Sequence, residues 1–146
     1  MVNRAKPKDV WEYLEELEKI KTRKDKIAYL KEKAEKVIAL RDVIQGAYDD
    51  RVAWLLPKGP VPYTPAREES HPSTLLKKNR DFAYFVKTPA SDKMPQYKRE
   101  GFFIGMLEAI HPKDAEIVVK MINKEQLAKG LTKKLVQEAL PELGIK

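Results

Sequence analysis

Few residues in this chain could carry catalysis or hold a metal. There is no cysteine, which excludes disulfides, thiolate metal sites and cysteine nucleophiles. The two histidines, His71 and His111, each stand directly before a proline. That context reads as a turn, so a histidine general base is not expected, and two histidines cannot build a histidine-rich metal cage. Asp49 and Asp50 could ligate a metal together with a third carboxylate, but a close acidic pair at a helix end reads chiefly as a cap or a solvated turn. Neither a Gly-x-x-x-x-Gly-Lys phosphate loop nor a Gly-x-Gly-x-x-Gly turn occurs. These absences imply no cofactor and no metal, and the expectation is a protein that is not an enzyme.

One stretch does suggest binding chemistry: Lys129-Gly130-Leu131-Thr132-Lys133-Lys134-Leu135-Val136. A glycine beside a Thr-capped helix start leaves backbone N–H groups pointing outward, and the helix dipole adds positive potential there. Lys133 and Lys134 face that positive end, which is unfavourable for the helix itself, and a bound phosphate would relieve the conflict. The alternative reading is a plain capped helix with exposed lysines.

Charge points the same way. The 146 residues hold 29 Lys and Arg against 22 Asp and Glu, for +7. Residues 1–50 carry twelve basic and eleven acidic side chains, residues 51–100 ten and five, and residues 101–146 seven and six. The surplus is therefore mid-chain, around Lys77, Lys78, Arg80, Lys93, Lys98 and Arg99. Such a patch attracts phosphate backbones, and a solvated lysine-rich surface is the competing explanation.

The elements that must position these residues read as helices. An amphipathic helix over 8–21 carries Val10, Leu14 and Leu17 one turn apart, beside Trp11. Thr22, with Asp25 three residues on, opens a lysine-rich second helix holding Ile27, Leu30 and Ala34. A third, over 37–47, is more apolar, and Gly46 is expected to unwind its last turn. These three suggest a compact antiparallel bundle. Residues 57–72 form a proline-rich loop that Trp54 and Tyr63 could pin to the bundle, and its EESHPS end reads as mobile. Helices resume over 73–86, with Phe82 and Phe85 as core candidates, and over 95–110, where Phe102, Phe103, Met106, Leu107 and Ile110 recur at helical spacing. Gly101 and Gly105 on the latter suggest close approach of a neighbouring backbone. Pro112 starts another helix to about residue 123, Thr132 caps a short last one, and Pro141 ends it. The expectation is one all-α domain over 1–146, with six or seven helices and residues 1–8 as a flexible arm. No apolar run exceeds five residues, so no membrane span or signal peptide is expected, and the expected location is the cytoplasm.

Three blocks together look familiar: YLEELEKIKTRKDKIAYLKE, LRDVIQGAYDDRVAWLLP and DAEIVVKMINKEQLAKGLTKKLVQEALPELG. Over most of residues 10–144 the chain resembles the N-terminal helical DNA-binding domain of ATP-dependent DNA ligases, especially the T-even phage type, and small proteins of marine tailed phages. The resemblance implies a ligase-like helical domain that grips duplex DNA by its backbone across the minor groove. It also implies that the turn before the last helix touches phosphate, which is where Gly130, Thr132, Lys133 and Lys134 stand. Lys129 belongs to the same turn, and charge alone adds Lys77, Lys78, Arg80, Lys98 and Arg99. The ligases' Lys-x-Asp-Gly nucleophile motif is absent, so self-adenylation is not implied. The loop over 57–72 is also richer in proline than its ligase counterpart.

The expected function is thus that of a non-catalytic phage accessory protein. It would bind duplex DNA in replication, repair or genome handling, in the cytoplasm of the infected bacterial cell. A phage or host replication or transcription protein is a further expected partner. The alternative is a protein-interaction module, a virion component or a factor for a phage or host enzyme, using Trp54, Tyr63 and the Phe82–Phe85 aromatics as its adhesive surface.

Overall fold

A computed structural model describes residues 8–146. The arm expected over 1–8 therefore lies, apart from Lys8, outside the described residues. Helix α1 spans Val10–Lys19, and the Glu12 carboxylate accepts the Asp9 N–H at its start. α2 spans Arg23–Lys36, opened as expected by the Thr22 hydroxyl, which accepts the Asp25 N–H at 3.2 Å. A single extended residue, Val37, separates it from α3, Ile38–Tyr48. After the long loop come α4 (Leu75–Lys78), α5 (Pro89–Asp92), α6 (Gln96–Ala109), α7 (Pro112–Ile122) and α8 (Lys133–Ala139). The described residues are all-helical, in one domain, with no helix long and apolar enough to cross a membrane.

The count exceeds the six or seven expected because a short helix, α5, forms where Pro89 interrupts the helical pattern, and one expected helix is divided. The helix expected over 73–86 is one α turn running into a 3₁₀ segment, Asn79–Tyr84. Residues three apart eclipse in a 3₁₀ helix, which turns Phe82 and Phe85 to the same side, and both are buried. The segment after Pro89 forms α5, where Thr88 and Ser91 cap one another, and Pro141–Leu143 forms a last 3₁₀ turn.

The first three helices touch one another but are not a self-contained bundle. α2 buries only Leu30 and Ala34 and leans mainly on α8, while α3 packs most extensively on α7. The reason is apolar surface: α3 buries Ala39, Leu40, Val43, Ile44, Gly46, Ala47 and Tyr48, too wide a face for one neighbour. Gly46 does not unwind the helix. A Cβ there would lie 2.5 Å from Trp54 and 2.8 Å from Met121, so the glycine lets the loop and α7 close onto α3.

The proline-rich loop is laced to the domain. Gly59 N–H donates to Asn123 Oδ1 at 2.7 Å, Asn123 Nδ2 returns a bond to the Gly59 carbonyl, and Leu55 N–H donates to the Phe85 carbonyl. Trp54 is half-buried, donates to the Gly46 carbonyl and meets Phe82 edge-on; Tyr63 is half-buried against the core. On α6 the expected face is corrected: Phe103, Met106 and Leu107 are buried, but Phe102 is 40% exposed. Gly101 and Gly105 face outward, with nothing within 4 Å of where a Cβ would sit, so no backbone among the described residues approaches them.

Candidate nucleic-acid interface

The turn ahead of α8 is held from inside. Tyr48 at the end of α3 accepts the Leu127 N–H at 3.0 Å and donates to the Leu131 carbonyl, and burial pushes its hydroxyl up to about 12. Leu131 is fully buried, while Lys129, Gly130, Thr132 and Lys134 stay exposed around it. Gly130 has φ +84°, which a side chain would strain, and Lys26 Nζ lies 3.0 Å from where its Cβ would be. The Thr132 hydroxyl accepts the Leu135 N–H at 3.2 Å, as its sequence position suggests. Lys133, however, reaches Asp50 at 2.7 Å. That carboxylate already supplies negative charge beside the first turn of α8. Both partners are solvent-exposed, so the pair is weak and exchangeable for a phosphate.

The acidic pair is divided between two cations. Asp49 is buried and accepts Arg51 Nε at 3.0 Å and Nη2 at 2.7 Å, and these bonds hold its carboxyl well below the usual carboxylate range. No cluster of three metal-ligating side chains occurs among the described residues.

The mid-chain basic residues separate into two kinds. Asn79 Nδ2 donates to Asp42 Oδ2 at 2.8 Å and ties the start of the 3₁₀ segment to α3, with Lys77, Lys78 and Arg80 around it. Lys77 and Arg80 are exposed and Lys78 partly so. Lys93 and Lys98 are exposed at the corner between α5 and α6 and line a recess of about 470 Å³ with Tyr84, Ala90, Met94 and Pro95. None of these five cations makes an ion pair among the described residues. Arg99 is the other kind. It is 7% exposed, its Nε donates to the Tyr84 carbonyl at 3.0 Å, and Nη2 donates to the Ser91 and Met94 carbonyls at 2.7 and 3.0 Å. Its Nη1 donates to Gln96 Oε1. Its sequence assignment to a DNA surface is corrected: the guanidinium is an internal clamp that shapes the corner displaying Lys93 and Lys98.

The interaction-module alternative loses the anchors expected for it, since Phe82 and Phe85 are buried and Trp54 and Tyr63 lean inward. The exposed aromatics are instead Tyr97, at 73%, and Phe102. Periodicity assigned Phe102 to the core, and Tyr97 carried no signal except its place beside Lys98.

A second cluster also escaped sequence reading. His111 is the N-cap of α7, its Nδ1 accepting the Lys113 N–H at 3.0 Å. Trp11 stacks on it at 5.0 Å, and His71 meets it edge-on at 5.5 Å, held by Nδ1 donating to the Ser73 carbonyl. Below them Asp114 is fully buried; Oδ1 accepts the Trp11 N–H at 2.9 Å, while Oδ2 and Trp11 Nε1 have no hydrogen-bond partner among the described residues. Burial raises the Asp114 carboxyl to about 7 and lowers the His111 imidazole. Pro112 marked the helix start, and His111 before it could have been read as the cap, but nothing local brings His71 to it.

Residues 13–129, more than half of the chain, match a family described as "Family of unknown function (DUF6433)", and the chain belongs to that family. No curated protein and no solved structure matches it. The matched span contains the 77–99 basic segment and ends one residue before Gly130.

Proposed function

We propose that this protein is a non-catalytic accessory protein that binds duplex DNA through the phosphate backbone. Its setting would be phage replication, repair or genome handling in the cytoplasm of an infected bacterial cell. The observation that carries the reading is the set of unpaired cations: Lys77, Lys78, Arg80, Lys93 and Lys98 meet no carboxylate among the described residues. Lys8, Lys33 and Lys36, by contrast, lie beside Glu16 or Glu32. An unneutralised patch binds phosphates by releasing their counterions, which is tolerant of sequence. The Lys129–Lys134 turn, braced by Tyr48, adds a smaller contribution, and the sequence resemblance to the ligase DNA-binding domain supports the same reading. A phage or host replication or transcription protein is the proposed further partner.

The test is fluorescence-anisotropy titration of a blunt duplex across a salt series. The Lys77→Glu/Lys78→Glu/Arg80→Glu variant should weaken binding uniformly across sequences and reduce the salt slope by about three, one for each phosphate no longer neutralised. Lys33→Glu/Lys36→Glu on α2, both beside Glu32, should change the slope by less than about one. Equal effects from the two variants, or no duplex binding at low salt, would overturn the reading.

A further inference from the structure

The described residues leave three large hydrophobic side chains exposed, Ile38, Tyr97 and Phe102, and two of these stand on α6 within one turn of Lys98. At about 100° per residue, Lys98 and Phe102 share a face of the helix. Phe102 meets the Tyr84 ring edge-on at 5.5 Å, and Tyr84 in turn lines the recess that contains Lys93 and Lys98. Phe102, Tyr84 and the two lysines thus belong to one continuous patch, and exposed Tyr97 stands at its far edge, about 100° round the helix from Lys98 and about 140° from Phe102. No carboxylate lines the recess. Arg99 fixes the underlying corner with its bonds to the carbonyls of Tyr84, Ser91 and Met94, so the patch is carried on an ordered support.

We infer that this patch binds an unpaired nucleic-acid strand, with Phe102 and Tyr97 stacking on exposed bases and Lys93 and Lys98 meeting the phosphates between them. The inference rests on the nucleic-acid reading above and deepens it. Two features select the occupant. Lysines without carboxylate partners complement a phosphodiester chain, and aromatic faces beside them are useful only to bases outside a duplex, where the π-face is accessible. In an intact duplex the base faces are stacked away, and the rings would contribute nothing. The proposed site therefore recognises a duplex with an open or single-stranded portion: phosphates of the paired part at Lys77, Lys78 and Arg80, unpaired bases at α6.

The experiment compares a labelled oligothymidylate with a blunt duplex, by anisotropy at low salt, for the full chain and three variants. Tyr97→Ala/Phe102→Ala should weaken oligothymidylate binding about tenfold or more, because each stacked ring contributes about fivefold or more by alanine substitution. Its duplex affinity should stay within about twofold. Phe102→Tyr should restore the single-strand affinity, which a purely structural role for the ring at the Tyr84 contact would not require. Tyr97→Trp, at the most exposed position, should show indole quenching on adding oligothymidylate and none on adding duplex. If duplex binds with a steep salt slope but single-strand affinity is unchanged in the alanine variant, this inference falls and the duplex reading stands. If both ligands weaken equally, the patch is a phosphate surface only and the inference falls. If the unmodified chain binds neither, both readings fall together.

Discussion

At the start of α6 the buried charge is Arg99, and its guanidinium donors meet four oxygens: three carbonyls and the Gln96 side chain. At the start of α7 it is Asp114, hidden more deeply, with one oxygen bonded to Trp11 N–H and the other unpartnered among the described residues. Both helices follow a proline-containing corner and both take an ionisable side chain inside. They differ in what surrounds it. The α5–α6 corner gathers the carbonyls of Tyr84, Ser91 and Met94 around one point, which a five-donor fork can collect. The α7 start is lined by rings, Trp11, His71 and His111, which offer a carboxylate little. A buried charge whose every nitrogen is bonded stiffens its surroundings, and the α5–α6 corner can then turn Lys93, Lys98 and Tyr97 outward on a rigid frame. A buried charge with bonds missing makes its surroundings sensitive to protons.

The largest expected effect breaks the first half of that contrast. Arg99→Ala should destabilise the protein by about 3 kcal/mol in urea denaturation, since it removes at once the donors to the Tyr84, Ser91 and Met94 carbonyls and the filling of the corner. Lys98→Ala, one residue away and exposed, should stay within about 0.5 kcal/mol. A small loss for Arg99→Ala would mean that water serves those carbonyls as well as the guanidinium does.

Next is Asp114. Its folded value, about 7, lies above the unfolded one, so its contribution is fully present below about pH 4 and is lost as pH rises through 7. Asp114→Asn keeps an acceptor for Trp11 N–H without the charge. It should raise stability at pH 8 by about 2 kcal/mol and flatten the profile between about pH 4 and 7. An unchanged profile would show that the carboxylate finds a bonding partner in solution.

The smallest effect has the opposite sign. His111 is lowered from 6.5 by burial, with His71 and Lys113 adding to the fall and Asp9 and Glu68 opposing it. Its contribution is present above pH 6.5 and is lost as pH falls through the lowered value. Protonation also removes the lone pair by which Nδ1 caps α7, since an imidazolium has no acceptor. His111→Asn, which caps at any pH, should remove about 1 kcal/mol of the loss between pH 6.5 and 5. A steeper acid loss in that variant would place the sensitivity in the Trp11 stack instead.

Legibility in the sequence followed the range of the forces. Thr22, Thr132 and Pro112 marked their helix starts because capping and the proline φ act within three residues. The apolar spacing of α1, α3 and α7 located their buried faces for the same reason. Phe102 and Arg99 defeated the same logic in opposite directions. Periodicity put the phenyl ring in the core, where it is 40% exposed, and charge put the guanidinium on the surface, where it is 7% exposed. The carbonyls of Tyr84 and Ser91 that hold Arg99 have no sequence signature.

From sequence alone came the all-helical class, the mid-chain location of the positive surplus and the absence of thiol and phosphate-loop chemistry. Each depends only on residue type or on neighbours within a turn. Which cations remain without a partner was decided in three dimensions. Lys133 met Asp50, 83 positions away, and Arg99 was enclosed, while Lys93 and Lys98 were left outside. A charge is available to a ligand only after the folded chain has offered it every oxygen within reach, and those oxygens belong to other elements.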